Sequence, residues 1–488
     1  MLGRAITFAL VGLEPRRVDV EAHLRTGQQP SFSIVGLADR ACQEAKHRVR
    51  SGVHSSLLEW PAKVITVNLA PAALRKEGTG FDVAIALTVL AASGQVPPDR
   101  LAEHACIGEL GLDGRVRPVA GTIAAAEGAA RAGFPRLLCS AESSREASLA
   151  GIEAVGVRHI AEAVGYLRGE DAIEPTSPDD DPRPPPELPD LAEVRGQERG
   201  RRALELAAAG THNLLLAGPP GTGKTMLGRR LASILPPLTR SEALEVMRIH
   251  SVAATLPAGA GLISAPPFRA PHHGASVAAV VGGGTVPRPG EVSLAHRGVL
   301  LLDELPEFPR PVLEALRQPL EDGVVSVARV GGRELFPARF RLVATMNLCP
   351  CGGRGDSRLE CACTPSRIGA YREKVSRALL DRFDLVVAMP RPRAEELAAP
   401  PGEASAAVRL RVVAARERLR DGDVLRRTEA ASALLDRAVE RVPLSGRGRA
   451  RVARVARTVA ALAGSDAVLP EHVAEALSYR SPAGVGAT

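Results

Sequence analysis

One run constrains this chain more than any other: THNLLLAGPPGTGKT, residues 211–225. Three consecutive leucines between polar residues read as a short buried strand. Glycines at 218, 221 and 223 permit a tight loop whose backbone N–H groups converge, and the residues beyond carry a helical pattern. Strand, glycine loop and helix in that order are the context that G-x-x-x-x-G-K-[ST] requires. The spacing predicts that Gly218, Pro219, Pro220, Gly221, Thr222, Gly223, Lys224 and Thr225 cradle phosphates, with the helix dipole adding positive potential. In this reading Lys224 reaches the β- and γ-phosphates and the Thr225 hydroxyl ligates Mg²⁺, so ATP and Mg²⁺ are the expected cofactors.

Two further apolar runs end in polar groups suited to the same chemistry. GVLLLDE (298–304) offers Asp303 to the Mg²⁺ shell and Glu304 to orient or deprotonate an attacking water. FRLVATMN (340–347) ends in Asn347, whose side chain can position water near the γ-phosphate. With helical patterns between them, these strands predict a parallel-sheet nucleotide-binding core. Phosphoryl transfer needs positive charge where negative charge develops. Arg382 in LLDRFDL lies between a helix and a strand, placed to reach a neighbouring subunit's nucleotide. Arg447, in LSGRGRARVARVARTVA, opens a helix expected to fold over the site, with Arg451 a rival for that role. In a chain so rich in arginine, each also reads as a solvated surface charge. From about Ala394 the pattern is wholly helical, as in VRLRVVAARERLR, and predicts a small lid.

A stretch dominated by proline and acid, EDAIEPTSPDDDPRPPPELPD, cannot pack a core and reads as an extended linker. The boundaries that follow are an α/β domain over 1–169, the linker over 170–190, the nucleotide core over 191–393 and the helical lid over 394–488. In the first segment SFSIVGL (31–37) and KVITVNLA (63–70) read as strands, and ADRACQEAKHRVRSGVHSSL and FDVAIALTVLAASG as helices. Asp113-Gly114 signals a hairpin. The net charge of +7 permits a nucleic-acid partner. However, only five of the 62 basic residues are lysine, which fits a GC-rich genome better than a DNA-binding face. Aromatic residues at 3% disfavour stacking platforms for single strands. The start of the chain lacks a basic segment followed by a long apolar core, and no window has the roughly 18 apolar residues of a membrane span. Cytoplasm, with reduced thiols, is the expectation.

That expectation bears on LCPCGGRGDSRLECACTP (348–365), which holds Cys349, Cys351, Cys361 and Cys363. Its C-x-C pairs are tighter than the C-x₂-C of zinc ribbons. Four soft ligands in a reducing compartment favour Zn²⁺ over disulfides. Reduced, unliganded thiols and a redox or iron–sulfur role stay open beside it. Such a clip would be structural, since four thiolates leave no open position, and would stiffen the segment presenting Arg382. Cys42, Cys106 and Cys139 are scattered and read as small core residues. His272 and His273 in PHHG are adjacent, are expected to point different ways, and read as a structural or DNA-facing loop.

Taken together, GPPGTGKT, PFRAPHHGASVAAVVGGG (267–284), GEVSLAHRGVLLLDELPEF (290–308), ATMNLCPCG and LLDRFDL resemble the Mg-chelatase-like AAA+ ATPases of the YifB/ComM family, over nearly the whole chain. The resemblance implies an α/β multidomain fold: a Lon-like α/β N-terminal domain, an AAA+ P-loop parallel-sheet core and a C-terminal all-α lid. It implies a helix-2 insertion within roughly 250–295 and a pre-sensor-1 hairpin near VVSVARVGGRELFPARF (324–340). Asn347 becomes sensor 1, Arg382 the arginine finger and Arg447 the sensor-2 arginine. The partners implied are further copies of the chain, usually a hexameric ring, and single-stranded or branched DNA, with no membrane. The activity implied is that of a DNA helicase promoting branch migration in natural transformation. Arg269, Arg288 and Arg297 would line a pore that grips phosphates without reading sequence.

The resemblance does not extend to peptide cleavage. The Lon serine falls within P-K-D-G-P-S-A-G, and the matching RKEGTGFD (75–82) has Gly80 there. The lysine positions fall on Ile123 and Ala125 of RPVAGTIAAA (117–126). Thr79 adjoins, but no base is visible, and nucleophilic catalysis needs both groups. The alternative function is a protein-remodelling ATPase of the magnesium-chelatase type. A non-catalytic scaffold is opposed by Lys224, Asp303 and Glu304.

Overall fold

A computed structural model of the chain describes residues 1–177, 187–284, 287–329, 332–420, 425–441 and 445–480. The centre of the linker read from sequence (178–186), the tip of the expected hairpin (330–331) and the last eight residues lie outside them. The chain forms two units: Met1–Pro184 with Thr239–Ser264 and Ala328–Leu335, and Pro185–Leu238 with Ala265–Val327 and Phe336–Thr488. Both are mixed α/β. No described helix is long and apolar enough to cross a membrane.

The first unit is built on seven strands, in the order Ser31–Val35, Val64–Ala70, Glu14–Arg25, Leu2–Val11, His104–Cys106, Arg136–Ser140, Glu153–Val157. Glu14–Arg25 runs antiparallel to both of its neighbours, and the other pairs are parallel. Val18, Val20, Ala22 and Leu24 are buried at every second position, which fixes the strand's face and hence its register. Helix Asp82–Ala92 is buried at all its residues, as its uninterrupted apolar sequence requires. The carboxylate of its first residue, Asp82, takes two hydrogen bonds from Arg48 at 2.6 and 3.0 Å and one from the Leu110 N–H. Helix Arg240–Val252 opens with a Thr239/Glu242 capping box and belongs to this unit. Buried Glu146 accepts from the Ile123 N–H at 3.0 Å and from the Ser251 hydroxyl of that helix, while Arg248 pairs with Glu127 at 2.9 Å. Ile123 and Ala125 are fully buried, and burial pushes the thiols of Cys42 and Cys106 up to about 12, that of Cys139 higher still.

The second unit is built on a five-stranded sheet, every strand parallel to its neighbours, in the order Phe268–Arg269, Val299–Leu302, Arg341–Met346, Leu214–Ala217, Leu385–Ala388. The three central strands are wholly buried, the signature of a parallel sheet covered on both faces. Leu214 pairs with both Val343 and Leu385, so the glycine-loop strand lies between the third apolar run and a later one. Chain order and spatial order diverge at this strand, where open α/β sheets bind ligands. Helices Ser405–Arg420, Glu429–Arg441, Gly446–Leu462 and Pro470–Ser478 belong to this unit.

Candidate active site

In a parallel sheet all strand ends of one kind share an edge. Gly218, Asp303 and Asn347 are each the first residue after one of three adjacent strands. That edge gathers nearly every group the sequence nominates. Gly221 and Gly223 take positive φ (74° and 85°), and helix Lys224–Arg229 starts directly from Gly223. Gly218 has no room for a side chain, since a Cβ would sit 2.2 Å from the Met389 carbonyl oxygen.

Lys224 is buried, and its ammonium donates to the carbonyls of Gly218 (2.8 Å) and Pro219 (2.7 Å) and to Asn347 Oδ1 (3.1 Å). Burial lowers its pKa to about 8, against the upward pull of Asp303 and Glu304. The Thr225 hydroxyl donates to Asp303 Oδ1 at 2.7 Å. These are hard oxygen donors brought together as a small divalent cation requires. Glu304 has left-handed backbone angles (φ 56°, ψ 54°), uncommon for a residue with a side chain and concentrated at functional sites. Glu304 is exposed and adjoins Asp303 at the end of strand Val299–Leu302, where a water could be held.

Sequence reasoning missed Thr345. Its hydroxyl donates to Asp303 Oδ1 at 2.6 Å and accepts the Glu304 N–H at 2.9 Å, so one side chain orients both acids. The available signal was a hydroxyl inside a fully buried strand that is otherwise apolar from Leu342 to Met346. Gln197 was missed too: its amide donates to the carbonyls of Thr222 (3.2 Å) and Pro390 (2.7 Å). It borders a cavity of about 500 Å³ beside Gly218 and Pro219, lined also by Leu348, Ala388 and Met389.

The two arginines are not at this edge. Arg382 donates to Glu321 and the Ala378 carbonyl, and Arg447 donates to the same Glu321 oxygen at 3.1 Å. Arg382 shares a cavity of about 400 Å³ with Asn213, Glu321, Phe340, Asp384 and Arg451. Asn213, Phe340 and Asp384 directly precede strands, so this is the opposite edge, about 13 Å away for four residues at about 3.3 Å each. The expectation that Arg447 folds over its own chain's phosphate loop is therefore corrected: Glu321 holds it beside Arg382. Arg451 lies 3.7 Å from Asp384 rather than near a phosphate site. His272 and His273 also depart from expectation. Their ring centroids are 4.0 Å apart, because they lie in irregular backbone where side chains need not alternate. Of the arginines read as pore-lining, Arg269 is held by Glu291 at 2.6 and 2.7 Å, while Arg288 is exposed.

Comparison with known proteins gives three family matches. "Magnesium chelatase, subunit ChlI" matches residues 190–397, "Subunit ChlI of Mg-chelatase" residues 20–143, and "Magnesium chelatase, subunit ChlI C-terminal" residues 402–480. A protein of Mycobacterium tuberculosis is 44% identical, with 98% of each chain covered. Escherichia coli YifB is 41% identical, covering 97% of this chain and 96% of the relative. The competence protein ComM of Haemophilus influenzae is 40% identical with the same coverage.

Proposed function

From a chain that belongs to the magnesium-chelatase-like YifB/ComM family, we propose an ATP-hydrolysing, ring-forming AAA+ motor that acts on DNA, a helicase promoting branch migration. The observation that carries the ATPase reading is the Thr225–Asp303 hydrogen bond at 2.7 Å beside Lys224. Thr225 and Asp303 would hold Mg²⁺ there, supplying charge neutralisation at the phosphates. Lys224 would hold the phosphates, Asn347 and Glu304 would place the attacking water, and the cavity beside Gly218 would take the nucleoside. Residues 1–169 would form a Lon-like domain without protease function, since Gly80, Ile123 and Ala125 bring neither nucleophile nor base. The boundaries at 190 and 393 would enclose the motor core and residues 394–488 its lid.

Arg382 and Arg447 lie at the edge away from their own phosphate loop, which favours a role at a neighbouring subunit's nucleotide, and so a closed ring, a hexamer in this reading. DNA as substrate rests on the relative named for competence. A protein client is the second reading, favoured by the chelatase descriptions of all three family matches. ATP hydrolysis with and without single-stranded and branched DNA tests both. We expect DNA to raise the rate several-fold, and Glu304→Gln to lower it at least ~100-fold while nucleotide still binds. Glu304-dependent turnover that no DNA alters would keep the ATPase and shift the substrate to a protein.

A further inference from the structure

The four-cysteine loop begins two residues past Asn347 and is the one group of three or more candidate metal ligands among the described residues. Its ligand atoms all lie within 4.8 Å of one another. Cys349 Sγ is 3.4 Å from Cys351 Sγ and 3.6 Å from Cys361 Sγ, and Cys351 Sγ is 3.8 Å from Cys361 Sγ. Zinc–sulfur bonds of about 2.3 Å at tetrahedral angles set neighbouring sulfurs about 3.8 Å apart. The spacing therefore suits one ion and is far beyond the roughly 2 Å of a disulfide. The Arg354 N–H donates to Cys349 Sγ at 3.3 Å, a donor that supports a thiolate.

The surroundings of the loop give the site a consequence. Gly352 has φ +78°, and a Cβ there would lie 2.6 Å from Cγ of Pro220. Gly355 has φ +82°, and a Cβ there would lie 3.9 Å from Cγ of Pro219. Gly353 packs on the second cysteine pair, where a Cβ would meet the Glu360 carbonyl oxygen at 3.0 Å and Cys361 Cα at 3.2 Å. Asp356, its side chain shielded from solvent, accepts two hydrogen bonds from Arg391 at 2.6 and 3.0 Å, tying the loop to the segment beyond strand Leu385–Ala388. The sequence placed such a clip in service of Arg382. The contacts instead seat it on Pro219 and Pro220, inside the phosphate loop.

We propose that Cys349, Cys351, Cys361 and Cys363 bind one structural zinc ion, and that the loop it closes buttresses the phosphate-binding loop. Four thiols release their protons to solvent and the ion joins four thiolates, with no change of oxidation state. The full coordination shell leaves no position for catalysis. The metal site stands independently of the nucleotide reading, and the buttressing role rests on it.

The test is metal analysis of the full-length protein by plasma mass spectrometry, paired with titration of a fluorescent ADP. We expect about one zinc per chain, as one four-thiolate site requires. We expect none in a Cys351→Ser/Cys363→Ser variant, whose ADP affinity falls several-fold. Lys224→Ala should keep its zinc while losing nucleotide, which separates failure of the metal site from failure of the nucleotide reading. Should the double variant not fold, chelator-stripped wild type refilled with Co²⁺ gives the same answer. The intense visible bands of tetrahedral cobalt–thiolate should appear, and ADP affinity should return with them. Protein that holds no zinc and takes up no cobalt overturns the site. Zinc whose removal leaves ADP affinity unchanged overturns the buttress.

Discussion

At Lys224 burial and charge pull in opposite directions. Burial lowers the ammonium's pKa to about 8, and the two acids beside it resist without restoring it. Only the charged form pairs with phosphate oxygens, and a bound phosphate pulls the pKa back up. Above pH 8, therefore, binding must take up a proton, and affinity should fall by up to about tenfold per pH unit. Below pH 8 the lysine contributes no slope. Calorimetry with ADP at pH 7 and pH 9, in buffers of different ionisation enthalpy, reads both the loss of affinity and the proton uptake. Lys224→Met should bind weakly at both values and lose the uptake. The residues of this edge were legible where chemistry fixes residue type and spacing together, as in GPPGTGKT and LLLDE. Thr345 was not, because a threonine within a strand has many explanations until its hydroxyl is seen between Asp303 and Glu304. Arg447 was legible as a nominated arginine but not in direction, because a helix pattern does not say which edge of a sheet the helix serves.

Elements were read best where periodicity and length agree. Arg40–Ser55, Asp82–Ala92, Ser405–Arg420 and Gly446–Leu462 all appear where helical patterns predicted them, as do the three apolar strands of the second unit. The long pair Leu2–Val11 and Glu14–Arg25 went unread, although Val18, Val20, Ala22 and Leu24 carry the period of two. The alternation covers only that half of the strand, since Glu14, Arg16 and Arg17 lead into it without an apolar face. Helix Arg240–Val252 shows a limit of another kind: its capping box marks where it starts but not where it docks. Its partner Glu146 is a buried carboxyl whose pKa is raised, chiefly by burial and despite the Ser251 and Ile123 hydrogen bonds. The folded state thus favours the protonated acid, so stability is lost as pH rises through the ordinary glutamate range towards the raised value. Glu146→Gln keeps an acceptor for both donors and removes the charge. It should raise the thermal midpoint at pH 8 by ~2–4 °C, the shift that about 1 kcal/mol produces in a domain of this size. At pH 4 the advantage should vanish, and equal gains at both values would mean the charge is not its source.

For the whole molecule, neither compact unit is continuous in sequence: 239–264 and 328–335 leave the second and join the first. A linear reading places boundaries where composition changes, at the proline-rich linker, and composition does not change at those crossings. The parallel sheet has a larger consequence. It sets the phosphate loop at one edge and Arg382 with Arg447 at the other, held together on Glu321. In the ring proposed above, the positive charge at each nucleotide would be completed by a neighbour, and each site would lie between two copies. Lys224→Ala and Arg382→Ala should each be inactive alone, the first lacking its own phosphate contact and the second failing its neighbour. Mixed in equal amounts and allowed to exchange subunits, they form some interfaces where an intact phosphate loop meets an intact arginine. Random assembly into a ring makes about a quarter of the interfaces complete, so about a quarter of wild-type ATPase should return. Arg447→Ala mixed with Lys224→Ala should behave alike, because Arg447 shares Arg382's edge. Were either arginine to act on its own chain's nucleotide, every interface in that mixture would carry a defect, and mixing would restore nothing.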